Sequence, residues 1–152
     1  MPCLSGNFNP AVGIILQVAI LPQSQLAILQ SQPAPVTAPN ITMFAALVDT
    51  GASVTCISAN VVQQLGLQPA GKTSMSGSTG AQTVDQYAFL VGFIFGAQQA
   101  PSGAISGHLN VNLVQGCEFT NHGFGFDVLI GRDILCKGNL NMSFDGHYVL
   151  AF

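Results

Sequence analysis

Residues 46 to 56 read Ala-Leu-Val-Asp-Thr-Gly-Ala-Ser-Val-Thr-Cys, "ALVDTGASVTC". One carboxylate, Asp49, stands directly behind three apolar residues and ahead of Thr50, Gly51 and further small side chains. Moving a carboxylate to the end of a buried strand is costly unless its neighbours hydrogen-bond it or its proton is retained, so this placement demands a chemical reason. The preceding "ITMFAALVD" (41–49) is apolar on both faces, as expected for a central strand. After it, "SANVVQQLGL" (58–67) reads as a short helix capped by Ser58 and ending near Gly66.

Working outward, Gly13 to Leu21 reads as a first strand stopped by Pro22. Residues 22–40 form a Gln- and Pro-rich exposed connection, in which Pro33, Pro35 and Pro39 exclude regular structure over most of the length. Residues 71–96 are two strand-like arms around Gly77-Ser78-Thr79-Gly80, a long hairpin. A polar loop over 97–110 should then lead into another strand. "FDVLIGRDIL" (126–135) repeats the sequence of hydrophobic strand, tight turn and short helix. "NMSFDGHYVLAF" (141–152) reads as two short strands around Asp145-Gly146. The pattern is all-β with little helix.

Composition narrows the function. The chain has 152 residues, enough for one domain spanning 1–152 with its own core. Only 6% of residues are charged, the formal net charge is -3, and the basic side chains are Lys72, Arg132 and Lys137, which argues against nucleic acid or an anionic membrane as partner. The apolar run 11–21 is too short to cross a bilayer, and no Lys or Arg precedes it as in a secretory signal, so a cytoplasmic location is expected. Cys3, Cys56, Cys117 and Cys136 form no C-x-x-C pair and should be free, buried thiols. His108, His122 and His147 lack ligand spacing, so neither metal nor cofactor is expected. A mean hydropathy of +0.49 is high for a soluble monomer and suggests that another copy or a ligand covers apolar surface. With few charges to line a cleft, substrate pockets should be apolar.

"ALVDTGAS" and "VLIGRDIL" look like two versions of one unit. With "MSGSTGAQ" between them, they make the sequence resemble the retropepsins, the single-domain aspartic proteases of retroviruses and their cellular and bacterial relatives. The resemblance runs from about Ile41 to the C-terminus. It implies a closed β-barrel (the acid-protease fold) with a flap hairpin and one short helix after the Gly-Arg-Asp turn. It also implies an aspartic endopeptidase acting on an extended polypeptide. Asp49 would be catalytic, in an active-site loop formed with Thr50, Gly51, Ala52 and Ser53. Met75, Ser76, Gly77, Ser78, Thr79 and Gly80 would form the substrate-covering flap tip, and Ile130, Gly131, Arg132 and Asp133 the supporting turn. Gly51 would let its N–H approach the Asp49 carboxylate. Thr50 would reach towards a partner's matching loop. Since the chain has a single Asp-Thr-Gly, half a site is encoded and a homodimer follows. The alternative is a retropepsin-like dimerisation or peptide-binding module without turnover, and a third reading is a β-barrel binder of small apolar ligands. Where Ser53 stands, retroviral members often carry an acidic residue that pairs with the arginine, which leaves the partner of Arg132 open. Asp133 is expected to cap the following helix or to hold Arg132.

Overall fold

The computed structural model describes residues 2–31, 36–38, 41–77, 80–99, 101 and 105–152. In chain order the elements are β1 (Cys3–Asn7), β2 (Ile15–Pro22), a 3-10 turn (Gln23–Gln25), α1 (Leu26–Ser31), β3 (Val36–Ala38), β4 (Met43–Val48), β5 (Cys56–Ser58) and α2 (Ala59–Leu65). They continue with β6 (Gly71–Gly77), β7 (Gly80–Gln99), β8 (Ile105–Phe119), β9 (Val128–Ile130), α3 (Arg132–Leu135), β10 (Asn139–Met142) and β11 (His147–Ala151).

Eight strands follow the order β3-β8-β5-β9-β4-β2-β7-β6, and β7 also pairs with β8. That extra pairing closes six of the strands into a ring, the barrel expected from the sequence. Closure removes sheet edges that would otherwise be open to aggregation. The interior is filled by Val18, Ile20, Ile57, Phe89, Val91, Phe93, Ile130 and Ile134, all fully buried. Strand β2 alternates as its sequence predicts, sending Leu16, Val18 and Ile20 inward.

The long strand β7 changes role along its length. Its polar first part, Gly80 to Gln86, ladders with β6 as a hairpin projecting from the barrel, whereas the apolar part from Tyr87 onward pairs with β8 and, over Phe89 to Gly92, with β2. Gly77 and Gly80 face each other at the hairpin end, with open space around both; Ser78 and Thr79 lie outside the described residues.

Several features depart from the sequence reading. The segment expected to be a polar loop over 97–110 is largely strand: Gly96, at φ +62°, produces an irregularity after Phe95, and the ladder resumes with Gln98 opposite Ser106. Within the 22–40 connection, α1 forms before the first of the prolines, which themselves lie outside the described residues. The third is β1, which pairs with β11 in register Cys3 to Ala151. With β10 on its other side, β11 is the middle of a three-stranded sheet, and its Tyr148 and Leu150 enter the core. The open edges of that sheet are therefore β1 and β10, not the C-terminal strand itself. Of the cysteines, Cys56 and Cys117 are buried, but Cys3 and Cys136 are exposed. No helix among the described residues is long and apolar enough to cross a membrane.

Candidate active site

The two sequence-related units lie side by side. Strands β4 and β9 run parallel in register Ala46 to Val128, Leu47 to Leu129 and Val48 to Ile130, so Asp49 and Gly131 leave the sheet as neighbours. The Asp49 N–H donates to the Ile130 carbonyl (3.0 Å), and the Arg132 N–H donates to the Ala52 carbonyl (3.0 Å). These bonds fasten the loop after one strand to the turn after the other.

Asp49 is half-buried, while Thr50, Gly51 and Ser53 are exposed. The Gly51 N–H donates to Asp49 Oδ1 at 2.8 Å and the Ala52 N–H donates to the same oxygen at 3.2 Å. A Cβ on Gly51 would stand 3.1 Å from that oxygen, closer than ordinary packing allows. Both donors fall on Oδ1; among the described residues Oδ2 accepts none. The carboxylate is thus oriented by its own loop, with one oxygen left for something outside this chain.

The turn supports the loop through a residue that the sequence reading passed over. Thr55 is fully buried; its hydroxyl donates to Asp133 Oδ1 (2.7 Å) and accepts from the Gly131 N–H (3.1 Å), and its own N–H donates to Asp133 Oδ2 (3.1 Å). Asp133 lies inside the first turn of α3, accepts from the Ile134 N–H (3.0 Å), and binds Thr55 instead of Arg132. The N-cap position belongs to Gly131, where any Cβ would collide with the Val54 backbone at 2.5 Å. Arg132 reaches the Thr50 carbonyl with Nη1 at 3.4 Å, which supplies the partner left open by Ser53. The signal that could have singled out Thr55 is its place six residues past Asp49, directly before the buried strand β5, with a hydroxyl to satisfy. Thr55→Val keeps the shape but leaves the buried Gly131 N–H without its acceptor and removes one of the two donors on Asp133 Oδ1. It should cost about 2–4 kcal/mol of unfolding free energy, measured in urea; a loss below about 0.5 kcal/mol would show that Thr55 supports nothing.

The remaining polar groups sort as follows. Asp127 accepts from Ser58 Oγ (2.7 Å) and, with Asn121, ties down the loop 120–127. That loop leaves Phe124 exposed, stacked on Phe126 at 5.4 Å. Among the described residues no group of His, Cys, Asp and Glu is arranged to hold a metal. Burial, with Cys117 opposite, pushes the Cys56 thiol up to about 11, so it stays protonated and is a poor nucleophile at neutral pH. Next to the site loop lies a cavity of about 330 Å³ reached by Ser53, Val54, Met75 and Cys117. A second, of about 490 Å³, adjoins the projecting hairpin and includes Asp85, Glu118 and His122. The second cavity is not the apolar pocket expected from composition: two of the chain's six carboxylates, Asp85 and Glu118, line it.

Comparison with known proteins agrees with this geometry. Residues 37–92 match the family described as "gag-polyprotein putative aspartyl protease", a span that contains Asp49 and the whole β6–β7 hairpin tip. The crystal structure of a retropepsin-like aspartic protease from Rickettsia conorii superposes on 99% of this chain and 90% of that one, with a TM-score of 0.51 at 13% sequence identity. No curated protein matches the sequence. The chain resembles that family over residues 37–92 and has a retropepsin-like fold.

Proposed function

We propose that the protein is an aspartic endopeptidase that works as a homodimer, each copy contributing one Asp49. The observation that carries this reading is the Asp49 carboxylate itself, held through Oδ1 by the Gly51 and Ala52 N–H groups on an exposed loop that offers half a site. Two such carboxylates brought together across a two-fold axis cannot both ionise cheaply, so the pair keeps one proton and holds one water between them. One carboxylate takes a proton from the water as it attacks the peptide carbonyl. The other, protonated, first hydrogen-bonds the carbonyl oxygen and then supplies the proton that the departing amine needs. Thr50, exposed at the loop tip, would meet the partner's loop. The β6–β7 hairpin, from Met75 and Ser76 through Gly80, would close over an extended substrate and exclude water. The open edges β1 and β10, near the fully exposed Phe144, offer further surface for the second copy.

Light scattering should give a particle of twice the 15.7 kDa chain mass. Peptide-cleaving activity per chain should fall on dilution together with that dimer. Activity carried undiminished by a 15.7 kDa monomer would overturn the proposal.

A further inference from the structure

The larger cavity has a chemistry that the peptidase reading does not by itself explain. It adjoins the site-loop cavity: Met75 borders both, and Thr73, Met75, Gln82 and Val84 share one hairpin face by register. A peptide lying along that face from the Ser53–Val54 end would carry its side chains past Met75 into the second space. Same-side residues of an extended chain recur at about 7 Å, so the occupant stands two or more positions from the residue nearest the site loop.

Of the two carboxylates in this cavity, Asp85 is neutralised by Lys72, whose Nζ lies 2.7 Å from Oδ1. Glu118 has no cationic partner among the described residues. The Tyr87 hydroxyl donates to its Oε2 at 2.9 Å and fixes its direction. Burial and the adjacent Glu118 push the Tyr87 hydroxyl up to about 12, so it remains a donor at any working pH. Phe119 also lines the cavity, its ring 6.2 Å from that of Phe126. A carboxylate without a counter-charge, in a cavity that a phenyl ring also borders, suits a cation through a charge-assisted hydrogen bond. His122 at the rim is the other titratable group facing the space.

We infer that this cavity is a substrate subsite for a lysine or arginine side chain, with Glu118 the specificity-determining residue. The inference rests on the peptidase reading for its occupant, and it adds a cation requirement away from the cleaved bond. The experiment uses one peptide series in which each position two to four residues from the cleaved bond is in turn Arg, Lys, norleucine or Glu. At one position wild type should prefer Arg and Lys over norleucine by about tenfold in kcat/KM, and should disfavour Glu. Glu118→Gln should collapse the Arg-to-norleucine ratio to near one, and Glu118→Lys should reverse the preference towards Glu. Binding of the same peptides to the Asp49→Asn protein, read by calorimetry, should show the same ratio without turnover. A charge preference in binding with no cleavage by wild type would sink the peptidase reading and leave the subsite standing. Equal binding and equal cleavage of Arg and norleucine peptides at every position, or a preference untouched by both Glu118 substitutions, would overturn the subsite.

Discussion

Asp49→Asn is expected to lower kcat/KM for any cleaved peptide by about 10³-fold or more while leaving the fold unchanged. The substitution keeps an amide oxygen where Oδ1 receives the Gly51 and Ala52 N–H groups, so the loop loses none of its internal bonds. What disappears is the ability to hold and pass a proton. General acid–base transfer alone contributes roughly 10²–10⁴-fold, and here both partners of the pair are changed at once in the homodimer. The melting temperature should move by no more than about 2 °C, since a loop change without lost contacts stays within about 0.5 kcal/mol. A parallel loss of stability would mean that the drop in activity reported unfolding, and cleavage at the wild-type rate would remove Asp49 from the chemistry.

The largest stability effects are expected at two glycines that close on the same backbone from different directions. A Cβ on Gly116 of β8 would sit 2.2 Å from the Thr55 carbonyl oxygen and 2.8 Å from Phe89 Cζ. One on Gly131 would sit 2.5 Å from the Val54 carbonyl carbon and 2.6 Å from its oxygen. In both cases the obstacle is main chain leading into β5, which cannot swing aside as a side-chain tip can. Gly116→Ala and Gly131→Ala should each cost about 3 kcal/mol or more, the upper end for overpacking a core. Because both push on Val54 and Thr55, their effects should not add, and the double variant should lose less than the sum. Urea unfolding of the two single variants and the double measures this. Losses below about 1 kcal/mol would show that the Val54–Thr55 segment yields freely. The same displacement would reach Asp49 through Thr55 and Asp133, so surviving folded protein should cleave more slowly.

Much of this arrangement is readable from residue order. Strands such as Ile15–Pro22 and Met43–Val48 announce themselves by β-branched and aromatic runs, Ser58 and Gly66 bracket α2 as cap residues do, and Asp49-Thr50-Gly51 marks the loop. Ser58 accepts from the Val61 N–H, and Gly66 adopts the left-handed conformation at φ +61°. What escaped the reading depended on contacts between distant segments. Strand β1 carries only a weak apolar pattern, Leu4 between small and polar residues, and exists because β11 pairs with it. Residues 97–110 look like a loop because Gly96 interrupts the alternation, yet a single left-handed glycine accommodates the irregularity and the ladder continues. Asp133 looked like a cap because acidic residues favour the first turn of a helix, but a buried threonine 78 residues away claims it instead. The pairing of Asp85 and Glu118 in one cavity could not be read from a net charge of -3, since sequence totals do not say which carboxylates share a surface.

In the proposed enzyme each active site is built from two Asp49 carboxylates on two copies of this chain. Mixing tests it most directly: wild-type and Asp49→Asn chains are unfolded together in varying proportion at constant total concentration, refolded, and assayed on one cleaved peptide. If every site needs an Asp49 from both copies, activity follows the square of the wild-type fraction, and an equal mixture retains about one quarter of the all-wild-type rate. If each chain works with its own carboxylate alone, activity follows the fraction itself, and the equal mixture retains about one half. The quadratic curve is the predicted result; the straight line would contradict the shared site.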